Sequence, residues 1–262
     1  MTLDGLQPTI LLPAFAAGLL VLASHVPLGM EVLRRGIIFI DLAIAQIAGL
    51  GIVIASTLGF EVNGWRTQVS AVIAALAGAL CLRWMEKRSP DHLEPVIGVS
   101  FVAAACAAIL LMSHDPHAGE HLQELLVGQI LWTTWAGLLP LALVTAGVLA
   151  GWFGGNLKAS PLGFYLLFAL TITASVQVVG VYLVFANLIV PALVSGGRLR
   201  RAYAIGVAGY ALGLLASGLF DLPAGAAIVL ALVLMGVMTA KGTVAKHQAD
   251  ASGRWKPGSS RP

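Results

Sequence analysis

Residues 161–195 read PLGFYLLFALTITASVQVVGVYLVFANLIVPALVS, an apolar run of 35 residues without a charged side chain. Lys158 precedes this run and Arg198 follows it. A transmembrane helix needs about 20 apolar residues, so the run is too long for one ordinary crossing and barely long enough for two. Gly180 and Pro191 are the positions at which it could be broken into short or re-entrant pieces.

The rest of the chain follows the same pattern of apolar runs between short groups of charges. Of its 262 residues, 58% are hydrophobic and 10% are charged. The sequence therefore predicts an all-α fold, a polytopic membrane helix bundle. We expect a transmembrane domain at residues 1–240 and a disordered cytoplasmic tail, rich in Gly, Ser, Pro and Lys, at residues 241–262. The predicted spans are Thr9–Val26, Gly36–Leu58, Gln68–Trp84, Pro95–Ser113, Trp135–Phe153, Pro161–Val176, Val178–Ser195, Tyr203–Phe220 and Leu222–Ala240.

The basic residues indicate how these spans are oriented. Cytoplasmic loops of membrane proteins carry an excess of Lys and Arg. Basic groups follow the first, third, fifth, seventh and ninth spans, so all of them share one side if residues 161–195 cross twice. This predicts nine crossings, with the N-terminus outside and the C-terminus in the cytoplasm. If residues 161–195 cross only once, the chain has eight crossings, and Arg198 to Arg201 lie outside.

Several classes of function have no support in the sequence. No polar stretch is long enough for a soluble catalytic domain, and no Gly-rich phosphate loop ending in Lys-Ser or Lys-Thr is present. Any source of energy must therefore lie on another chain or in an ion gradient. The basic residues are scattered over short loops without a continuous basic face, so no nucleic-acid partner is expected.

Three segments carry a resemblance to a known family. Residues 33–46 read LRRGIIFIDLAIAQ, residues 177–192 read QVVGVYLVFANLIVPA, and residues 221–225 read DLPAG. They are similar to three patterns in the permease subunits of bacterial ABC importers for zinc, manganese and iron ions. Those patterns are an Arg-Arg pair followed by Gly-Asp-x-x-x-His, a Lys-Val-Val-Gly…Leu-Ile-x-Pro-Ala segment, and Asp-Leu-Pro-Ser-Gly. Their order and spacing match across nearly the whole chain.

The resemblance implies a transporter subunit rather than an enzyme, together with a set of partners. The fold would be similar to that of the cobalamin and siderophore permeases. The protein would be a homodimer in the bacterial inner membrane, with alternating access along a path at the dimer interface. Cytoplasmic ABC ATPase subunits would hydrolyse ATP, and a periplasmic metal-binding protein would deliver a divalent ion, zinc or manganese. ATP would act only through the partner subunit, and no covalently bound cofactor is implied.

Two departures from the family pattern keep alternatives open. Asp41 is followed four residues later by Ala45 instead of His; if Gln46 aligns with the His, Leu42 replaces the Asp. Because a neutral amide binds zinc weakly compared with imidazole, the substrate could instead be a metal chelate or another small solute. The segment 154–160 is also much shorter than the coupling segment of the family, which is the only support for a secondary transporter without an ATPase.

Five polar residues within the spans are candidates for lining the path: Asp41, Gln46, His25, Gln177 and Asn187. Ionisable groups in a bilayer usually face a cavity or a partner. Asp41 could alternatively be an interfacial residue paired with an arginine of the Arg34-Arg35 pair. His25 could be a hydrogen-bonded packing residue, and the two amides could make hydrogen bonds between helices.

A histidine-rich loop offers a candidate site for capturing metal outside the membrane. Pro116 is well placed to open a helix, on which His117, Glu120 and His121 would share one face. Two imidazoles one turn apart can share a divalent transition metal, and carboxylates can complete the ligand set. The alternative is a solvated polar loop. The candidate metal ligands are His114, His117, Glu120 and His121.

Basic residues on the cytoplasmic side are most simply determinants of topology. Docking to an acidic surface of the ATPase is the functional alternative. The candidate docking residues are Lys158, Arg198, Arg200 and Arg201.

Overall fold

The computed structural model describes residues 7–61, 64–88, 92–112, 126–155, 157 and 160–254, with side chains described up to residue 239. Every regular element in these ranges is helical, which confirms the all-α prediction. A 3-10 turn, Ile130–Trp132, precedes the helix Leu138–Leu149, and a π-helical turn, Ala150–Gly154, extends that helix. The helices are α1 Pro8–Arg35, α2 Ile40–Thr57, α3 Trp65–Arg88, α4 Leu93–Leu111, α5 Leu138–Leu149, α6 Pro161–Val194, α7 Leu199–Phe220 and α8 Ala224–Arg254.

Length and hydropathy identify the helices that can cross a membrane. Within the described ranges, α1, α2, α3, α4, α6 and α7 are each long and apolar enough to do so. Two shorter apolar helices occupy residues 138–154 and 224–239. The protein is thus a polytopic membrane helix bundle, as predicted.

Three helices continue past their predicted ends, α3 by four residues to Arg88 and the first and last helices by more. α1 continues through Pro27 to Arg35 and ends at Gly36, whose φ of 72° gives a left-handed C-cap. The predicted span ended at Val26; membrane helices tolerate proline where neighbouring groups satisfy the backbone, so Pro27 does not end α1. The last helix continues to Arg254, so residues 241–254 of the predicted disordered tail are helical.

α6 does not run straight across the bundle. The His25 side chain contacts Ser175, and the backbone at Gly29 contacts Leu188. The two α1 positions are about 6 Å apart along their axis, whereas a straight helix would separate Ser175 and Leu188 by about 20 Å. α6 must therefore bend back between them. It does so at Gly180, where φ is 78° and ψ is 164°, while Pro191 lies within helical backbone.

The segment that precedes α5 packs against this bend. The Gln129 N–H donates to the Val178 carbonyl, with 3.3 Å between nitrogen and oxygen. Gly128 has a φ of 74°, and a Cβ atom on either Gly128 or Gly180 would overlap the main chain of the other segment. Two stretches of backbone therefore touch directly, which only glycine allows. A Cβ on Gly225, at the start of α8, would likewise overlap the Val127 carbonyl oxygen.

Side-chain contacts show which helix ends lie together. The Arg35 guanidinium at the end of α1 lies 4.2 Å from the centroid of the Phe164 ring, near the start of α6. It also lies 4.0 Å from the Glu86 carboxylate, near the end of α3. Arg201, in the first turn of α7, donates to the Thr239 carbonyl of α8 at 2.9 Å.

Candidate cation pathway

Asp41 lies in the first turn of α2 and is completely buried. The backbone N–H groups of Asp41 itself and of Leu42 lie near the carboxylate, but within the described residues neither oxygen accepts a hydrogen bond of good geometry. The structure does not contain the alternative pairing of Asp41 with Arg34 or Arg35, because both arginines donate to Glu31, each through its Nε at 2.9 Å. The N-terminal end of a helix carries a partial positive charge that favours a carboxylate. An acceptor-only group without a partner is suited to receiving a cation.

The surroundings of Asp41 on α2 are mostly apolar. Ala45 is buried one turn further along the helix, and Gln46 is half-buried beside it. Phe39, just before α2, stacks on Phe185 of α6 with ring centroids 6.1 Å apart and ring planes 4° from parallel. This aromatic pair joins the start of α2 to the second arm of α6, the part of that helix that follows the bend at Gly180. The part that precedes the bend is the first arm.

His25 is completely buried in the middle of α1 and faces α6 rather than α2. Its Nδ1 lies 2.9 Å from the Val21 carbonyl, and since a carbonyl can only accept, Nδ1 carries the proton. Nε2 is then an acceptor, 3.2 Å from the Ser175 hydroxyl. Both ring nitrogens are engaged within the bundle, which is the arrangement of a hydrogen-bonded packing residue.

The two amide candidates lie on either side of the bend in α6. Asn187 is completely buried, and its Nδ2 donates to the Tyr210 hydroxyl of α7 at 2.6 Å. Its Oδ1 accepts no hydrogen bond within the described residues. Gln177 is half-buried, three residues before Gly180. Asn187 therefore makes the predicted hydrogen bond between helices and still has a free acceptor.

The described residues contain no group of three or more His, Cys, Asp or Glu side chains that could hold a metal ion. The histidine-rich loop lies outside the described residues, and so does Lys158. Arg198 and Arg200 are exposed around the start of α7, while Arg201 is half-buried against α8. The loop residues outside the described ranges are His114, His117, Glu120 and His121.

The sequence analysis missed several residues that organise this region. Glu31 could have been found, because it precedes Arg34 and Arg35 by three and four residues, a spacing typical of ion pairs on a helix. Ser175 and Tyr210 have no such local signal, because their partners are on other helices.

Comparisons with known proteins agree with this architecture. Residues 7–153 and 148–241 match the sequence profile of the family described as the ABC 3 transport family. The chain is 28% identical over 229 residues to the manganese transport system membrane protein MntC of Halalkalibacterium halodurans, covering 78% of this chain and 77% of that protein. It is 21% identical over 258 residues to the high-affinity zinc uptake system membrane protein ZnuB of Haemophilus influenzae, covering 88% and 96%.

A solved structure supports the fold independently. The structure of PsaBC from Streptococcus pneumoniae in complex with a Fab superimposes with a TM-score of 0.67 at 20% sequence identity, over 88% of this chain and 89% of that one. The family profile covers almost the whole chain and the fold agrees. The protein therefore belongs to the ABC 3 transport family, and it is a transporter permease subunit rather than an enzyme.

Proposed function

We propose that this protein is the membrane permease of an ATP-driven importer for a divalent transition-metal ion, zinc or manganese. The family assignment supports an ABC transporter, and the two curated relatives are named for manganese and zinc transport. ATP hydrolysis would take place on separate cytoplasmic ABC ATPase subunits. A periplasmic metal-binding protein would deliver the ion to the permease in the bacterial inner membrane.

The buried carboxylate of Asp41 is the observation that best supports a cation as substrate. It lies within a helix that can cross the membrane, and both of its oxygens lack hydrogen-bond partners within the described residues. An ionised carboxylate in that position is costly unless a cation or water reaches it, so such residues usually mark an ion path. Asp41 would be a point of contact for the ion, and Gln46 would line the path beside it.

The topology that we propose has nine crossings, with the N-terminus outside and the C-terminus in the cytoplasm. The bend at Gly180 supports two crossings by α6, because its two arms contact neighbouring positions on α1. The contact of Arg35 with Phe164 and Glu86 supports a shared side for the basic ends of α1 and α3 and the start of α6. We infer a homodimer with alternating access, by resemblance to the family.

A second candidate substrate is a metal chelate or another small solute. Four residues after Asp41, at the spacing at which the family carries a histidine, lies the buried methyl group of Ala45; if Gln46 aligns with that histidine instead, Leu42 replaces the Asp. The described residues offer no cluster of metal ligands. A permease with this architecture could recognise an already coordinated metal without supplying ligands itself. The family assignment gives no support to the alternative of a secondary transporter.

Uptake by cells tests the proposed function. A strain that lacks the protein should accumulate less radioactive zinc or manganese than its parent when metal is scarce, and the wild-type gene should restore uptake. Asp41→Asn preserves side-chain shape and removes the capacity to carry a negative charge when a cation arrives, so we expect a folded protein with uptake close to that of the deletion strain. Asp221→Asn is the matched control, because Asp221 is exposed with a φ of 53°, a conformation that asparagine tolerates.

Three results would distinguish the candidates. Normal uptake of both free ions by the deletion strain would contradict the metal-ion function. Uptake that depends on the protein only when the metal is supplied with a chelator would favour the second candidate. Normal uptake by Asp41→Asn at every metal concentration would remove Asp41 from the path and leave the family assignment in place.

A further inference from the structure

One face of α3 is exposed along its whole length, while the opposite face packs into the bundle. The exposed side chains recur every three or four residues, the spacing of one helical face. Toward the end of the helix the character of this face changes from apolar to basic. The exposed residues are Trp65, Val69, Ile73, Ala77, Leu80, Trp84 and Arg88.

The two tryptophans at the ends of this face are separated by the thickness of a bilayer core. Trp65 is 71% exposed and Trp84 is 52% exposed. Their 19-residue separation corresponds to about 28 Å of helix, close to the hydrocarbon thickness of about 30 Å. Tryptophan is enriched at both membrane interfaces. An arginine lies over each ring, Arg66 at 5.6 Å and Arg88 at 4.9 Å from the ring centroids, so this face has the pattern of a lipid contact.

The Trp84 end of α3 meets the end of α1 in a basic cluster. The contact between Arg35 and Glu86 brings the two helix ends together. Arg34 is 72% exposed, and Lys87 and Arg88 are exposed in the last turn of α3. Among the residues that the structure describes, the last turns of α1 and α3 carry five cationic side chains and two carboxylates, and the Arg83 Nε–H has no hydrogen-bond acceptor. The charged members of this basic cluster are Arg34, Arg35, Arg83, Lys87 and Arg88, with Glu31 and Glu86.

We propose that the basic cluster and the adjoining face of α3 form a binding site for an anionic phospholipid. The headgroup phosphate would accept hydrogen bonds from Arg34, Lys87 and Arg88. Trp84 would lie at the level of the glycerol, and the acyl chains would follow the apolar stripe toward Ile73. Basic pockets between membrane helices on the cytoplasmic side bind anionic headgroups in this way. Only the assignment to the cytoplasmic leaflet rests on the proposed topology.

A lipid fits these observations better than a protein partner. An ATPase would approach from the aqueous side, and its binding would not require the apolar stripe that leads away from Arg88. A second copy of the chain could cover the stripe. It would not account for tryptophans at both interfaces, each with an arginine over its ring.

Native mass spectrometry of the purified, delipidated full-length permease tests this site. The protein is titrated with phosphatidylglycerol or with phosphatidylcholine of identical acyl chains. The wild type should bind phosphatidylglycerol up to about 100-fold more tightly, since each of the three cations near the anionic headgroup contributes about fivefold. The triple variant Arg34→Gln/Lys87→Gln/Arg88→Gln should lose this preference, with its affinity for phosphatidylglycerol falling to that for phosphatidylcholine. Arg66→Gln, which removes the arginine at the other end of α3, should keep it.

Several outcomes would overturn the proposal. One is a wild type without preference between the two lipids, and another is a triple variant that retains the preference. Loss of ATPase co-purification in the triple variant, with lipid preference intact, would make the basic cluster a protein-docking surface. Efficient oxidative cross-linking between copies through the exposed Cys81, in a Cys106→Ala background in either lipid, would assign the stripe to a second copy. None of these readouts depends on which solute is transported.

Discussion

The imidazole Nε2 of His25 lies 3.2 Å from the hydroxyl oxygen of Ser175, across the contact between α1 and the first arm of α6. The same hydroxyl also lies 2.7 Å from the Thr171 carbonyl of its own helix. A hydroxyl has one proton to donate, so the two acceptors share it. The link between these helices is therefore polar but modest in strength.

Ser175→Ala should lower stability slightly, by about 0.6–1.7 kcal/mol, the range for hydrogen bonds between membrane helices. His25→Ala should cost more, about 2–5 kcal/mol, because it also leaves a cavity in a buried site. Thermal unfolding in detergent measures both effects. Thr57→Ala is the control, because this exposed hydroxyl bonds only a carbonyl of its own helix and its loss should change little. Loss of uptake in Ser175→Ala without loss of stability would place His25 in the ion path.

Gly128→Ala and Gly180→Ala should each sharply reduce the yield of folded protein, because the new methyl group meets backbone that cannot move aside. Overlap in a packed core typically costs about 1–3 kcal/mol, and the positive φ of both residues adds strain. Gly98→Ala and Gly147→Ala provide matched controls, because a Cβ atom there meets nothing within 4 Å. Size-exclusion profiles of the four variants measure the effect. Equal yields would show that residues 126–129 do not pack into the bend of α6.

A reporter enzyme that works only in the cytoplasm should be active when it is fused after Arg201. A reporter that works only in the periplasm should be inactive at the same position. The reason is that a double crossing by α6 returns the chain to the side of the other basic groups. A fusion after Thr133, before α5, should give the opposite result and serves as the control. Periplasmic activity after Arg201 would mean that α6 crosses once and that the chain has eight spans.

Replacing His117 and His121 together by Ala should lower uptake when metal is scarce and lower it less when metal is abundant. Both lie in the loop outside the described ranges, and this expectation comes from their spacing alone. Imidazole must be neutral to bind metal, so capture by this loop should weaken at acid pH. Uptake measured across metal concentrations and pH checks both effects. Normal uptake at every concentration would make the loop a polar connector.

The existence of the spans could be predicted from the sequence, and their exact ends could not. Apolar runs and basic groups indicate crossings because the bilayer demands both. The span predicted to end at Val26 continues as α1 through Pro27 to Arg35. Asp41 was expected to be paired or to line a path. Its burial without a partner depends on Glu31 engaging both arginines, a competition that only the folded arrangement decides.

Contacts between distant segments were the hardest to predict. Gly180 was identified as a breaking point because glycine weakens a helix. Nothing in the sequence indicated that Gly128, some fifty residues earlier, packs its backbone against the same point. Such a contact involves no charged residue, no periodic spacing and no complementary side chains, so no sequence pattern indicates it.

The direct backbone contact between Gly128 and Gly180 also determines which mutants of this permease can be rescued by a second mutation. At Gly206 an added methyl group would meet the end of the Leu22 side chain, so a smaller residue at position 22 could act as a second-site suppressor. At Gly128 the obstacle is main chain, which no replacement of a neighbouring side chain removes. Revertants of a Gly128 lesion should therefore arise almost only by restoring glycine, whereas those of a Gly206 lesion should include changes at Leu22.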